Sequence, residues 1–389
     1  MTLTRLLFLL TLLTPLALPQ VQPEAEDQRL QEIMRKRRRS EPVTDEEQVF
    51  VKTVIARRSA EFQKANPPRN STGLVPLSEL PASATYQGEP GGLYPGGRNT
   101  PPDSHLRAGL ALARRIVPLD AAGRPSPDGK IVLLSIGMSN TTQEFQAFQK
   151  LAAAGSGANL RAEGADPPNT QHPSPITRAA ATGLHPRLVI VDGAQGGQAA
   201  DTTADPQAAF WKVAGDRLTT AGVTDRQVQA VWLKQAIIQP RRPFPAEAKR
   251  LQGYLVDTLH NLAPRYPNLK IAYLSSRIYA GYATTVLNPE PHAYESAFAV
   301  RWVIASQIAG HDGLNYDPSK GPVRSPWLAW GPYLWADGAK ARSDGLAYLP
   351  PDLGPDGTHP SPSGREKVAQ LLLDFLKKDP ASRPWFLQP

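Results

Sequence analysis

The sequence predicts an α/β protein built on a parallel sheet with helices on both faces, and three observations predict it. Beyond residue 105, short apolar runs of strand type alternate with longer stretches of helical periodicity, the order that repeated βα units produce. Four of those runs are continuous rather than alternating in polarity, as strands covered on both faces are. Hydrophobic residues make up 41% of the 389-residue chain and charged residues 20%, enough apolar material for a sizeable core and too much for a disordered polymer.

From the N-terminus, Arg5 is followed by the apolar stretch from Leu6 to Leu13, then by Pro15 and small or polar residues through Gln20. This is the grammar of an export signal, assigned to residues 1–22 and expected to be removed in an extracellular or periplasmic protein. The apolar stretch is short for a hydrocarbon layer of roughly 30 Å, so no stable membrane span is expected once the signal is gone. There is no cysteine. Disulfides, thiolate metal sites and a cysteine nucleophile are therefore excluded, and the lack of thiols fits export.

Residues 23–66 are highly charged, with Leu30, Ile33 and Met34, then Val49, Val51, Val54, Ile55 and Phe62, at roughly helical spacing. Two helices are expected, separated by Ser40-Glu41-Pro42-Val43. They form a solvated arm between membrane and body or, in the alternative, a segment that binds a partner or a polyanion. Much of the formal charge of +8 lies in the run Arg35-Lys36-Arg37-Arg38-Arg39. No aromatic residues interleave with that run and no groove-reading motif accompanies it, so a nucleic-acid partner is not expected. The chain has 40 prolines and 30 glycines. Many fall in residues 67–104, which are expected to be a turn-rich segment holding the boundary before an α/β domain over 105–389.

Within that domain the expected strands are Lys130 to Ile136, Arg187 to Asp192, Val228 to Leu233 and Leu269 to Ser275. Helices are expected from near Thr142, and over Gln207 to Ala221, Pro245 to Leu262, His292 to Ala309 and Ser363 to Lys378, the last announced by Ser361-Pro362-Ser363. No internal repeat is evident. In open parallel sheets, function gathers beyond the carboxyl ends of the strands, so the turns that follow them are where chemistry is sought.

The first strand runs into Gly137-Met138-Ser139-Asn140, which places a serine hydroxyl at the crevice and at a helix N-terminus, where backbone N–H groups favour a developing oxyanion. Alone, such a serine serves equally as a helix cap. Near the other end, Asp356-Gly357-Thr358-His359-Pro360-Ser361 precedes the last helix. A serine needs a base to take its proton, and an imidazole needs a carboxylate to fix its tautomer, so His359 and Asp356 are the candidate partners of Ser139. No second histidine or carboxylate cluster lies nearby at ligand spacing, so neither a metal nor any other cofactor is expected.

Taken together, these segments resemble the SGNH/GDSL hydrolase superfamily over residues 128–378. The resemblance implies a three-layer α/β/α flavodoxin-like sheet, with Ser139 as nucleophile, His359 as base and Asp356 as its orienter. The first block keeps its glycine and serine but has Met138 where the family has aspartate; the last block matches closely. For the second block, the family's oxyanion-hole glycine falls on Gly197, with Gly196 the other candidate. The third block departs from the family's glycine and asparagine: Trp232-Leu233-Lys234-Gln235 leaves Lys234 or Gln235 as the side-chain donor.

Asn140, Arg277, and Trp330 and Trp335 of the aromatic stretch from Trp327 to Trp335 are the candidate substrate contacts, with His105 as another. Flat aromatic faces suit sugar rings or acyl groups, and packing of a long loop is their other use. The expected function is a secreted serine esterase that removes a short acyl group, such as acetyl, from a carbohydrate or small-molecule ester. The alternative is a non-catalytic envelope protein that binds a glycan in the same crevice, and a third reading puts the activity in the basic arm.

Overall fold

The computed structural model describes residues 23–81, 83–154 and 183–388. The export signal assigned to residues 1–22 lies outside them. Among the described residues, no helix is long and apolar enough to cross a membrane.

Five parallel strands form the central sheet: β1 (Ile131–Gly137), β2 (Leu188–Asp192), β3 (Val228–Lys234), β4 (Ile271–Ser275) and β5 (Trp327–Trp330). Their order is 2-1-3-4-5, the flavodoxin-like order, whose switch point lies between β1 and β3. Every residue of the five strands is buried. Helices cover both faces, which is why the strands show no alternation of polarity. On one face α4 (Ser139–Ala154) packs against α9 (Pro362–Lys378). On the other lie α6 (Ala209–Thr220), α7 (Ala246–Arg265) and α8 (His292–Ile308), with the short α5 (Ala200–Ala204) against α7. The three-layer α/β/α fold expected from the sequence is the fold observed.

The four expected strands begin and end within two residues of their expected limits. The fifth comes from the aromatic stretch Trp327 to Trp335, for which both a substrate wall and packing onto the sheet were open. Trp327 and Trp330 hold β5 in the core, and the Trp330 ring donates to the Leu93 carbonyl at 2.6 Å. Trp335 is likewise buried and donates to Glu290 at 2.8 Å. His105, on α3 (Asp103–Ala113), lies 2.7 Å from the Leu328 carbonyl and stacks on Trp327 with centroids 4.9 Å apart. All three of these candidate contacts are packing groups instead.

The turn-rich segment 67–104, where the boundary was expected, packs on the α/β body. Leu77, Leu93 and Tyr94 belong to the same core as the sheet. The Asp337 carboxylate accepts hydrogen bonds from Ser71, Thr72 and Gly73, pinning the start of the segment to the loop after β5. Prolines and glycines suppress regular hydrogen-bonded elements, but they do not prevent apolar side chains between them from packing.

The arm forms a helical hairpin, α1 (Pro23–Arg38) and α2 (Asp45–Ala65), around Leu30, Ile33, Val51 and Val54. A reciprocal capping box starts α2: the Thr44 hydroxyl accepts from the Glu47 amide, and the Glu47 carboxylate accepts from the Thr44 amide. The arm is not a solvated stalk. Arg38 and Arg39 pair with Asp201 and Asp205 at 2.5 and 2.9 Å, Arg58 donates to Gln239 at 3.0 Å, and Gln63 donates to the Thr284 carbonyl at 2.6 Å. Half-buried acids of the body thus take up part of a charge run that looks solvated in the sequence.

Candidate active site

Helix α4 starts at Ser139 itself, three residues earlier than expected, so the serine occupies the first helical position beyond β1. Its amide belongs to the first turn, where no carbonyl of the helix lies four residues back to accept it. The Ser139 Oγ lies 2.7 Å from His359 Nε2. On the other side of the ring, His359 Nδ1 lies 2.5 Å from Asp356 Oδ2. A carboxylate can only accept there, so Nδ1 carries the hydrogen and the Nε2 lone pair faces the hydroxyl proton.

The loop that carries His359 is tightly built. Asp356 Oδ1 accepts the backbone N–H groups of Thr358 and His359, each at 3.0 Å. Burial raises the acid's pKa, but the His359 ring and these two amides outweigh that effect and hold Asp356 at about 2. Gly357 sits at φ +60°, and a Cβ there would fall 1.9 Å from the Tyr282 carbonyl oxygen, so only glycine fits between Asp356 and His359. The Thr358 carbonyl accepts from Asn140 Nδ2 at 2.9 Å and from Arg277 Nη2 at 3.2 Å. These two bonds tie the base loop to the serine helix and to the residues after β4.

Gly197, in the turn after β2, lines the same pocket as the serine. Its φ of +74° and the open space where a Cβ would stand leave its backbone accessible. Gly196 shares the turn but does not line the pocket.

Lys234 and Gln235 are not available as donors. Lys234 is the last residue of β3, paired in register with Gly137, and its side chain is wholly buried. The Lys234 ammonium contacts both oxygens of Glu144 on α4, the nearer at a very short distance and the other at 2.6 Å. Burial pushes its pKa down to about 8 against the pull of Glu144. A lysine removed from water requires a counter-charge, and the helix supplies one. Gln235 donates instead to the Gln198 carbonyl at 3.1 Å and to Thr203 at 3.3 Å.

What remains around the serine is a pocket of about 170 Å³. Met138, Ile237 and Leu287 give it apolar walls, and Asn140, Arg277 and Asn288 contribute polar groups. A larger groove of about 820 Å³, lined by His260, Tyr266 and Asp312, lies by the residues that lead into β4 and β5. That is the opposite end of the sheet from the serine.

Sequence reasoning missed Glu144, Ile237, Leu287 and Asn288. An acid on a helix five residues after a serine, opposite a lysine ending a buried strand, was a signal for the Glu144 pair. The pocket walls had none, since isoleucine, leucine and asparagine in loops carry no distinctive pattern.

No protein-family model matches the chain, and no curated protein matches it significantly. Among solved structures, one described as a putative platelet activating factor from Streptococcus pneumonia aligns at 12% identity with a TM-score of 0.30, covering 70% of this chain and 92% of that one. A likeness that slight bears on neither fold nor activity, and the architecture stands on the sheet order and the packing described above.

Proposed function

We propose that this chain is an exported serine hydrolase of the SGNH/GDSL type, cleaving a short acyl ester, such as an acetyl group on a carbohydrate. The carrying observation is the Ser139–His359–Asp356 relay, with contacts of 2.7 and 2.5 Å at the carboxyl end of a flavodoxin-like sheet. Ser139 Oγ attacks the ester carbonyl as its proton passes to His359 Nε2, and the carbonyl π pair moves to oxygen. Collapse expels the alcohol, which takes the proton from His359; water then repeats the sequence on the acyl-enzyme. Asp356 orients the ring and stabilises its charged form. The Ser139 and Gly197 amides face the developing oxyanion.

The pocket volume and its apolar walls favour a small acyl group over a fatty chain. The test is turnover of p-nitrophenyl esters of increasing chain length by wild type and by Ser139→Ala. Acetyl ester hydrolysis that falls with chain length and vanishes in Ser139→Ala supports the proposal; equal background rates in both proteins refute it. A second reading, a glycan-binding protein without catalysis, is favoured by one observation: Lys234 and Gln235 turn away from the serine. It predicts a glycan bound equally well by wild type and Ser139→Ala.

A further inference from the structure

Lys234 and Gln235 leave the oxyanion without a side-chain donor from the end of β3, and the pocket itself offers another. Its walls contain four side chains with N–H groups: Asn140, Arg277, Asn288 and His359. His359 belongs to the relay, and Asn140 and Asn288 are neutral amides that each spend one of two N–H groups on a backbone carbonyl, Asn140 Nδ2 on Thr358 at 2.9 Å and Asn288 Nδ2 on Ile237 at 3.0 Å. Arg277 is the one that brings a permanent charge. Arg277 carries five N–H groups. Its Nη2 donates to the Thr358 carbonyl at 3.2 Å, and its Nε has no partner.

Resting on the hydrolase reading above, we infer that Arg277 is a catalytic residue: its guanidinium donates to the ester oxygen as that oxygen becomes an anion, replacing the donor that the β3 end lacks. Arg277 is 1% exposed, so the interaction is made away from bulk water, where a charge-assisted hydrogen bond is strong. A charged N–H donor at the pocket wall gains more from a developing oxyanion than from the neutral carbonyl of the bound ester, so its effect falls on the transition state. The bond to Thr358, next to His359, fixes the guanidinium against the same loop that holds the base. Burial lowers its pKa against the opposing pull of Glu144, Glu290 and Asp356, and a guanidinium starts from so high a value that it stays protonated.

The experiment compares wild type, Ser139→Ala and Arg277→Ala on p-nitrophenyl acetate, a neutral ester, with thermal melting to show that each is folded. Folded Arg277→Ala is expected to lose roughly 100- to 1,000-fold in kcat with KM little changed, and added methylguanidinium is expected to restore part of it. Undiminished kcat on this ester overturns the inference, as does a loss confined to the KM of anionic esters, which would make Arg277 a substrate-charge contact. Should the alanine variant not fold, Arg277→Lys decides: it keeps the charge without the fork, and is expected to lose about tenfold or more in kcat. Undiminished kcat in that variant again overturns the inference. Wild type that is inactive on this ester and whose Ser139 takes up no serine-directed fluorophosphonate removes the hydrolase reading itself, whereas active wild type with an equally active Arg277→Ala removes only this inference.

Discussion

Lys234 at the end of β3 and Glu144 in the second turn of the serine helix form an ion pair with neither side chain exposed to solvent. The pair joins the end of β3 to α4, the helix that Ser139 begins, and acts as a brace between them.

Removing one partner leaves a buried charge without compensation. Glu144→Gln should therefore destabilise the protein by about 3–5 kcal/mol, and replacing both residues with apolar ones should recover much of that loss. Urea unfolding of the single and double variants measures both. A single variant within about 0.5 kcal/mol of wild type contradicts the brace.

Asp356 sits at about 2 in the folded protein against an ordinary 3.8. A depressed acid contributes stability that is fully present above its unfolded pKa and is lost as pH falls through the folded one. Stability should drop between about pH 4 and pH 2, and Asp356→Asn should flatten that part of the profile; acid unfolding followed by circular dichroism reads it. The same substitution leaves the imidazole in the wrong tautomer and should lower kcat by about 10⁴-fold.

Gly357→Ala places a methyl group where the Tyr282 carbonyl stands and strains a φ of +60°. The loop must shift and carry His359 with it. The expected cost is about 1–3 kcal/mol of stability, together with a fall in kcat larger than the stability loss explains. Thermal melting and steady-state kinetics separate the two effects.

The arm is held by ion pairs that are partly solvated, and such pairs contribute roughly 0.2–1 kcal/mol each and weaken with salt. Replacing Arg38 and Arg39 together by alanine should raise amide exchange throughout α1 while leaving β1 and β3 protected. Unchanged exchange in α1 would show that the apolar contacts of the hairpin hold it alone.

The sheet was legible because β1 to β4 are buried on both faces and so appear as unbroken apolar runs, each followed by a polar or glycine-containing turn. The fifth strand was not, because Trp327 to Trp330 is a short run of large rings whose side chains look as suited to a sugar as to a core. That Ser139, His359 and Asp356 meet was expected from a small-residue turn after a strand and from an acid and a histidine three apart before a helix, two signals that are weak singly and were joined by the family resemblance. The donors were harder to place. Lys234 and Gln235 occupy the expected position in the chain, yet side-chain direction was decided by Glu144, Gln198 and Thr203, none of which is near them in sequence. The packing of segment 67–104 was hidden for a related reason, since Leu77, Leu93 and Tyr94 stand among prolines and glycines and their partners lie far along the chain.

The central claim is that Ser139 is an activated nucleophile. Intact-mass and peptide mass spectrometry after incubation with a serine-directed fluorophosphonate tests it without any assumption about the substrate. Stoichiometric labelling at Ser139 that is lost in His359→Ala is the predicted result; folded wild-type protein that takes up no label at Ser139 would contradict it.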